Sequence, residues 1–363
     1  MKNNGKSRGM DKKKAEKILA TVVMGMNLVN TVAPLAALAG AEQKLVAAPQ
    51  PARSEAEPLD YAVLPQLADM VDRAIFARAE ATEYDGNASV ASMVSGDGQN
   101  ITAGQSGTVS TMNGGTQNIS IGGSGTVSTM NGAQQNIASG GVGTVSVMNS
   151  GLQYIFSGGK GTVSTMKIGL QNIFSGGKGT VGTINNGFQS ISNGGVGTVS
   201  TINGGNQTIS SGGSGTVSTM SGGTQEIKHG GSGTVSTMNG GAQQVTSGGS
   251  GTVSTMNGGA QQIGSGGVGS ALGILGGQQQ IASGGTGYVE HVTAKQIISG
   301  GGTGIVGTVT AGDSWNLTAG QTGIANSMNG GAQTVSAGGV GTVRAYFTCQ
   351  GKHLDIFTSR YLT

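Results

Sequence analysis

Residues 123–140 read Gly-Ser-Gly-Thr-Val-Ser-Thr-Met-Asn-Gly-Ala-Gln-Gln-Asn-Ile-Ala-Ser-Gly, and close copies of this 18-residue unit follow one another from about Gly107 to Gly285. Self-similarity at a fixed short period is typical of a solenoid, in which each unit covers its apolar face only by stacking on its neighbours. The sequence therefore predicts an all-β fold: a single-stranded right-handed β-helix (β-solenoid) of 18-residue rungs, preceded by a short N-terminal helical segment.

Three apolar columns form the expected core of this solenoid. The first is a valine column: Val109, Val127, Val145, Val163, Val181, Val199, Val217, Val235 and Val253. The second is mostly methionine: Met112, Met130, Met148, Met166, Ile184, Ile202, Met220, Met238 and Met256. The third is mostly isoleucine: Ile119, Ile137, Ile155, Ile173, Ile191, Ile209, Ile227, Val245, Ile263 and Ile281. Because isoleucine replaces methionine in the second column, core packing explains that column better than a thioether metal site does.

Within one unit, Thr126–Met130 and Gln135–Ile137 favour extended backbone, since β-branched residues suit a pleated surface. The dipeptides Asn131-Gly132 and Gly140-Gly141 indicate turns. The three-residue step between the valine and the methionine breaks strict alternation and predicts a corner or bulge there.

A glutamine recurs at the same step, from Gln117 to Gln279. Stacked amides can hydrogen-bond to one another along a fibre-like axis, so we interpret this column as a structural ladder. After Gly285 the units become degenerate, and Trp315 takes the glutamine position.

The composition excludes several classes of protein. The 363 residues include 72 glycines, with 4% aromatic and 10% charged residues, but neither a three-residue collagen period nor the patternless sequence of a linker. The net charge of +3 arises mostly outside the repeats, so no basic stripe for nucleic acid is expected. A single cysteine, Cys349, excludes an internal disulfide framework.

The first 88 residues differ from the repeats. Residues 1–39 have the layout of a secretory signal peptide, with a lysine-rich arm, an apolar stretch and an Ala37-Leu38-Ala39 end. A membrane anchor is the alternative, because the apolar stretch is about long enough to cross a ~30 Å hydrocarbon core. Residues 40–88 are expected to be a linker whose amphipathic helix, around Leu64–Phe76, either caps the first rung or forms a flexible spacer.

Hydroxyl side chains are expected to form a flat outward face. Its members are Thr126, Ser128, Thr162, Ser164, Thr216, Ser218, Thr252 and Ser254. Three interpretations remain open: ordinary solvation of an exposed strand, attachment of sugars, and contact with another copy of the chain.

No cofactor or metal site is expected. His229 and His291 fall at different places in the unit, and the isolated acids cannot form a calcium ladder. An alternative function is a carbohydrate-active β-helix enzyme, which requires two or three neighbouring acids. Glu226, Glu290 and Asp313 are sparse and lie on different rungs, so the chain is expected not to be an enzyme.

The repeats of residues 89–343, with paired glycines and a Gln-x-Ile step after a signal peptide, resemble those of the self-associating autotransporter adhesins, the group of the diffuse-adherence adhesin (AIDA) and antigen 43. This resemblance implies a type V secretion passenger on the outer surface of a Gram-negative bacterium. It implies adhesion to host or matrix surfaces, autoaggregation and biofilm formation through self-association, and O-linked sugars on repeat serines and threonines.

Residues 344–363 form a non-repeat tail that is too short for the outer-membrane barrel of that family. Three alternatives follow: the chain is a fragment, a frame change has truncated it to a non-functional product, or it is released rather than anchored. The outer-membrane barrel is then separate or missing.

Overall fold

The computed structural model describes residues 81–246, 248–292, 295–310 and 314–347. The predicted signal peptide, the predicted amphipathic helix and most of the non-repeat tail lie outside these residues. Every regular element in the described part is a β-strand.

The strands alternate between long and short along most of the chain. They are β1 Glu83–Tyr84, β2 Ser89–Met93, β3 Gly98–Ile101, β4 Ser106–Met112, β5 Thr116–Ile119, β6 Ser124–Ile137, β7 Val142–Ile155, β8 Lys160–Met166, β9 Leu170–Ile173, β10 Lys178–Ile184, β11 Phe188–Ile191, β12 Val196–Ile202, β13 Asn206–Ile209, β14 Ser214–Met220, β15 Thr224–Ile227, β16 Ser232–Met238, β17 Ala242–Val245, β18 Ser250–Met256, β19 Ala260–Ile263, β20 Val268–Ile274, β21 Gln278–Ile281, β22 Thr286–Val292, β23 Lys295–Ile298, β24 Thr303–Thr310, β25 Ser314–Leu317, β26 Thr322–Asn329, β27 Ala332–Val335, β28 Val340–Val343 and β29 Tyr346–Phe347. In β6 and β7 the long and short strands of one coil are continuous.

Each coil contributes one long and one short strand, and both pair in parallel with their counterparts in the next coil. Val127 pairs with Val145 and Ile137 with Ile155, one repeat unit away. The solenoid makes about 14 turns of ~18-residue rungs, which at the ~4.8 Å strand spacing is a length of about 65 Å. The predicted β-solenoid is therefore confirmed.

The long strand bends at a serine. Pairing between β6 and β7 proceeds from Val127 directly to Thr129, so Ser128 is left out of the ladder. Ser128 is exposed, whereas Val127 and Met130 on either side are buried. This is the irregularity that the three-residue step predicted, and it lets both apolar side chains point inward.

The second turn of each coil depends on a glycine in the left-handed region. Gly140 has φ of 70°, a conformation that a side-chain β-carbon disfavours. The next residue, Gly141, closes the turn by donating from its backbone N to Ala138 O at 3.0 Å. Gly140 N also donates to Gly158 O at 3.1 Å, so even the corners of successive coils are hydrogen-bonded.

The coil interior is filled by the three apolar columns. Val127 and Met130 belong to one buried cluster, Ile137 to a second, and Ile263 and Trp315 to a third near the C-terminal end. All members of the valine column from Val109 to Val253 have at most 1% exposure. The same limit holds for Met130, Met220, Met238, Met256, Ile119, Ile137, Ile173, Ile209 and Ile263.

An inward-facing glycine column leaves room for these side chains. A β-carbon on Gly143 would lie 2.4 Å from Ile137 Cδ1 and 2.7 Å from Gln135 Oε1. Neither group can move far in a close-packed interior, so only glycine fits at this position.

The ladder extends past residues 89–343 at both ends. Strand β1 precedes this range and pairs with β3, while β29 follows it and pairs with β26. Toward the C-terminal end the spacing changes, because Thr286 pairs with Thr303 and Thr303 with Thr322. The degenerate units thus remain part of the same parallel stack.

Candidate functional surface

The long strands carry the hydroxyl groups that the sequence places on the surface. The exposed members are Ser128, Thr162, Ser164, Thr216 and Ser218. The half-buried members are Thr126, Thr252 and Ser254. Each serine lies at the bend of its strand, and each threonine lies two residues before it.

A further hydroxyl column lies on the other side of the bend. Thr129, Thr165 and Thr219 are half-buried and occupy equivalent ladder positions in their coils. This column is not among the predicted outward hydroxyl groups, although the recurrence of threonine before the methionine could have revealed it. The long-strand side therefore carries three stacked columns of hydroxyl groups.

The glutamine column runs through the interior of the coil. Gln189 and its equivalents from Gln99 to Gln279 have 0% exposure. Gln189 Nε2 donates to Gln171 Oε1 at 2.7 Å, and Gln207 Nε2 donates to Gln189 Oε1 at 2.6 Å. The amides therefore form a ladder with one direction, in which every Nε2 donates toward the N-terminal end.

The two ends of this ladder differ. At the N-terminal end Gln99 Nε2 donates to the backbone oxygens of Asp85 at 3.2 Å and Ala88 at 3.0 Å. At the other end Gln296 Oε1 and Trp315 Nε1 are buried without a hydrogen-bond partner. The tryptophan occupies the glutamine position of its coil and interrupts the ladder there.

Asparagines form a second ladder at the turn after the long strand. Asn131 Nδ2 donates to Asn113 Oδ1 at 2.8 Å, and Asn149 Nδ2 donates to Asn131 Oδ1 at 2.8 Å. Lys167 occupies the equivalent position in the next coil, so the ladder is interrupted there. This ladder lies at the surface and adds amide groups to an outer face of predominantly neutral polar residues.

An aromatic patch interrupts this polar surface on the face formed by the short strands. We define it as Leu152, Tyr154, Phe156, Leu170, Phe174 and Phe188. The rings of Phe156 and Phe174 are stacked, with centroids 5.1 Å apart and planes inclined by 7°. Tyr154 lies against Phe174 at a centroid distance of 6.1 Å. Phe156 and Phe188 are 43% and 47% exposed, so this patch presents apolar surface to the solvent.

A shallow hollow lies on the same short-strand face, closer to the C-terminal end. It has a volume of about 500 Å³, and its lining includes Gln244, Gln262, Gln280, Thr246 and Ile297. Gly264 and Ala282, which also line it, have the two smallest side chains there. Every lining side chain is uncharged.

The acids considered for catalysis do not converge. Glu226 Oε2 lies 3.2 Å from Lys228 Nζ in an ion pair whose side chains are 34% and 48% exposed. Glu290 is exposed on β22, in a different coil, and Asp313 lies outside the described residues. A buried acid, Asp97, has a structural role, since its two carboxylate oxygens accept backbone N–H groups of Thr82 and Val94 at 3.0 and 2.8 Å.

Within the described ranges, no group of three or more His, Cys, Asp or Glu residues could hold a metal ion. Across those same ranges, none of the regular structure is a helix of the length and apolarity needed to span a membrane.

A solved structure of another protein is similar to this chain in fold and sequence. A crystal structure of a TibA fragment, hyper-glycosylated in a reaction catalysed by TibC, is 30% identical in sequence, with a TM-score of 0.54. The similarity covers 71% of this chain and 92% of that chain. No family model and no curated protein matches the chain.

Proposed function

Because this chain belongs to the self-associating autotransporter adhesins, as a β-solenoid passenger, we propose that it is a secreted or surface-displayed adhesin. Its role is to join cells, giving autoaggregation and biofilm formation, through contacts between solenoids on neighbouring cells. We further propose that it acts by binding and carries out no chemical step.

One observation carries this proposal: outer hydroxyl groups repeat in register from coil to coil, from the pair of Thr108 with Thr126 to the pair of Thr234 with Thr252. Hydroxyl and amide groups at each coil can donate and accept hydrogen bonds, so contact can be distributed over the whole length. Few side chains on the described surface are charged, and two copies therefore meet without strong electrostatic repulsion.

We also propose that the hydroxyl columns of the long strands accept O-linked sugars. The similar TibA fragment is hyper-glycosylated in a reaction catalysed by TibC. In this chain Ser128, Ser164 and Ser218 are exposed at the strand bend, where a bound sugar would displace no core residue. Sugars at these positions would extend from the long-strand side and leave the short-strand face uncovered.

Cell mixing tests the adhesin role. Cells that display the full chain and carry one fluorescent label are mixed with displaying cells of a second label, and with cells lacking the chain. Mixed-colour clumps are expected only where both populations display the protein. Settling no faster than that of cells lacking the chain would refute the proposal.

Co-expression with the glycosyltransferase TibC tests the sugar proposal. Peptide mass spectrometry should find sugar mass increments on serines and threonines of the long strands. In a Thr216→Val, Ser218→Ala, Thr219→Val variant the increments from these three columns should disappear on that coil while those on other coils remain. Increments confined to the short strands would contradict the assignment.

A further inference from the structure

We propose that the short-strand face is self-complementary: two copies lie antiparallel, and the aromatic patch of each is seated in the hollow of the other. This inference rests on the proposed self-association and gives it a defined site.

The patch and the hollow are built from the same positions of the repeat. Phe156 and Phe174 follow the last residue of their short strands, and Gly264 and Ala282 occupy the equivalent place in later coils. Their backbone N–H groups donate to the preceding coil alike, Phe174 to Ile155 O at 2.9 Å and Ala282 to Ile263 O at 2.8 Å. The face therefore carries its largest and smallest side chains in one column, about six rungs or roughly 29 Å apart.

An antiparallel two-fold arrangement brings these positions together. A two-fold axis that lies in the interface and runs perpendicular to the solenoids reverses the order of coils but keeps each column opposite itself. When Phe174 opposes Gly264 of the second copy, Phe156 opposes Ala282 of that copy. Both contacts occur twice, once on each side of the axis.

The neighbouring columns agree with the same alignment. Within the short strands, Phe188 then opposes Ala242 of the second copy, and Leu170 opposes its Ala260. Tyr154 opposes Gln280, which lines the hollow. Large apolar side chains thus meet small or flexible ones across the interface, as packing without overlap requires.

Charge favours this arrangement over a direct contact between two aromatic patches. Lys160 and Lys178 are exposed. Each is the first residue of the long strand that begins four residues after Phe156 or Phe174. A patch-to-patch contact would bring these lysines close to their own copies. In the antiparallel alignment Lys178 lies opposite Val268 of the second copy, and Lys228 lies opposite its Ser210.

The face is large enough for a specific contact. The short strands from residue 152 to residue 298 span nine coils, or about 40 Å, and a four-residue strand is about 15 Å wide with its flanking residue. The resulting area, roughly 600 Å² per copy and about 1,200 Å² in total, lies at the lower limit of specific interfaces. Two aromatic anchors in each copy suit such a contact, since aromatic residues dominate interface energetics.

Sedimentation of the full chain and four variants tests the site. The double variant Phe156→Ser, Phe174→Ser removes the two stacked rings of the aromatic patch. Serine is the residue that other coils carry at this position, as at Ser192 and Ser210. Gly264→Lys places a charge in the hollow, where a β-carbon makes only ordinary contacts of 3.4 Å or more. We expect each change to raise the concentration for half-association about tenfold or more. The controls Gly264→Ala and Leu275→Asn, the latter removing an exposed apolar residue at another turn, should stay within about twofold of the unaltered chain.

Disulfide capture tests the alignment. In a Cys349→Ser background, chains with Phe174→Cys are mixed with chains carrying Gly264→Cys. The mixture should cross-link rapidly, and each variant alone should not. Cross-linking of the Phe174→Cys chain with itself at the same rate would overturn the antiparallel arrangement.

The outcomes separate this inference from the proposed function. If the unaltered chain associates and the patch and hollow variants associate equally well, the site is wrong and self-association stands. If the unaltered chain stays monomeric at every concentration and displaying cells do not clump, both proposals fail.

Discussion

Replacing Gln189 by leucine interrupts the buried amide ladder near its centre. The change removes the bonds of 2.7 Å to Gln171 Oε1 and 2.6 Å from Gln207 Nε2. These two atoms remain buried and lose their ladder partners, and each orphaned group costs about 1–3 kcal/mol. The gross loss is about 2–6 kcal/mol, which is partly offset by burial of the apolar leucine side chain.

The matched control is the same substitution at the end of the ladder. Gln296 Nε2 donates to Gln279 Oε1 at 2.7 Å, whereas Gln296 Oε1 has no partner. Gln296→Leu orphans Gln279 Oε1 but also removes Gln296 Oε1, so the number of orphaned atoms does not change, whereas Gln189→Leu adds two. Since both variants gain a leucine, the difference between them should be about 2–6 kcal/mol in the free energy of unfolding.

Urea unfolding of the full chain, followed by β-sheet circular dichroism, measures this difference. Equal slopes of the transitions are required, because a solenoid can lose cooperativity when one rung is weakened. If Gln189→Leu proves no less stable than Gln296→Leu, the ladder does not contribute through hydrogen-bond satisfaction and the reasoning fails.

Four other substitutions have expected outcomes in the same unfolding experiment. Gly143→Ala should destabilise the chain by about 1–3 kcal/mol through overpacking, because its β-carbon would lie 2.4 Å from Cδ1 of the buried Ile137. The control Gly264→Ala, whose β-carbon would have no contact closer than 3.4 Å, should be nearly neutral. Equal losses of stability in the two variants would contradict the packing argument. Met130→Ile should cost less than about 1.5 kcal/mol, since isoleucine fills the same column in three coils, at Ile184, Ile202 and Ile274. A larger loss would show that the column is specific for the thioether. Lys228→Ala should change stability by less than about 1 kcal/mol, because its ion pair with Glu226 is solvent-exposed, and a greater change would reveal a role beyond this pair.

The sequence was sufficient to predict the solenoid because its apolar columns keep one period. Val127, Met130 and Ile137 each require burial, and their fixed positions in the unit leave one arrangement in which all three are covered. The bend at Ser128 followed from the same spacing. A glutamine in the interior was harder to place, since Gln135 alone would be costly to bury and becomes acceptable only when its neighbours complete the ladder.

The aromatic patch and the hollow could not be derived from the repeat pattern. The unit shows that Phe156 and Gly264 share a position, but it does not show that this position faces outward on the short-strand side. Their relation also depends on two coils about 29 Å apart, a distance fixed by the coil rise. Features that the repeat shares among all copies were predictable, whereas features that arise from differences between copies required the structure.

The one-way amide ladder has a consequence for how such a protein can change over generations. Each coil presents an acceptor to the following neighbour and a donor to the preceding one, as Gln189 does toward Gln207 and Gln171. A recombination event that inserts or deletes one whole unit of coding DNA therefore joins two compatible surfaces. The length of the solenoid can then vary between descendants while the packing of its core stays the same.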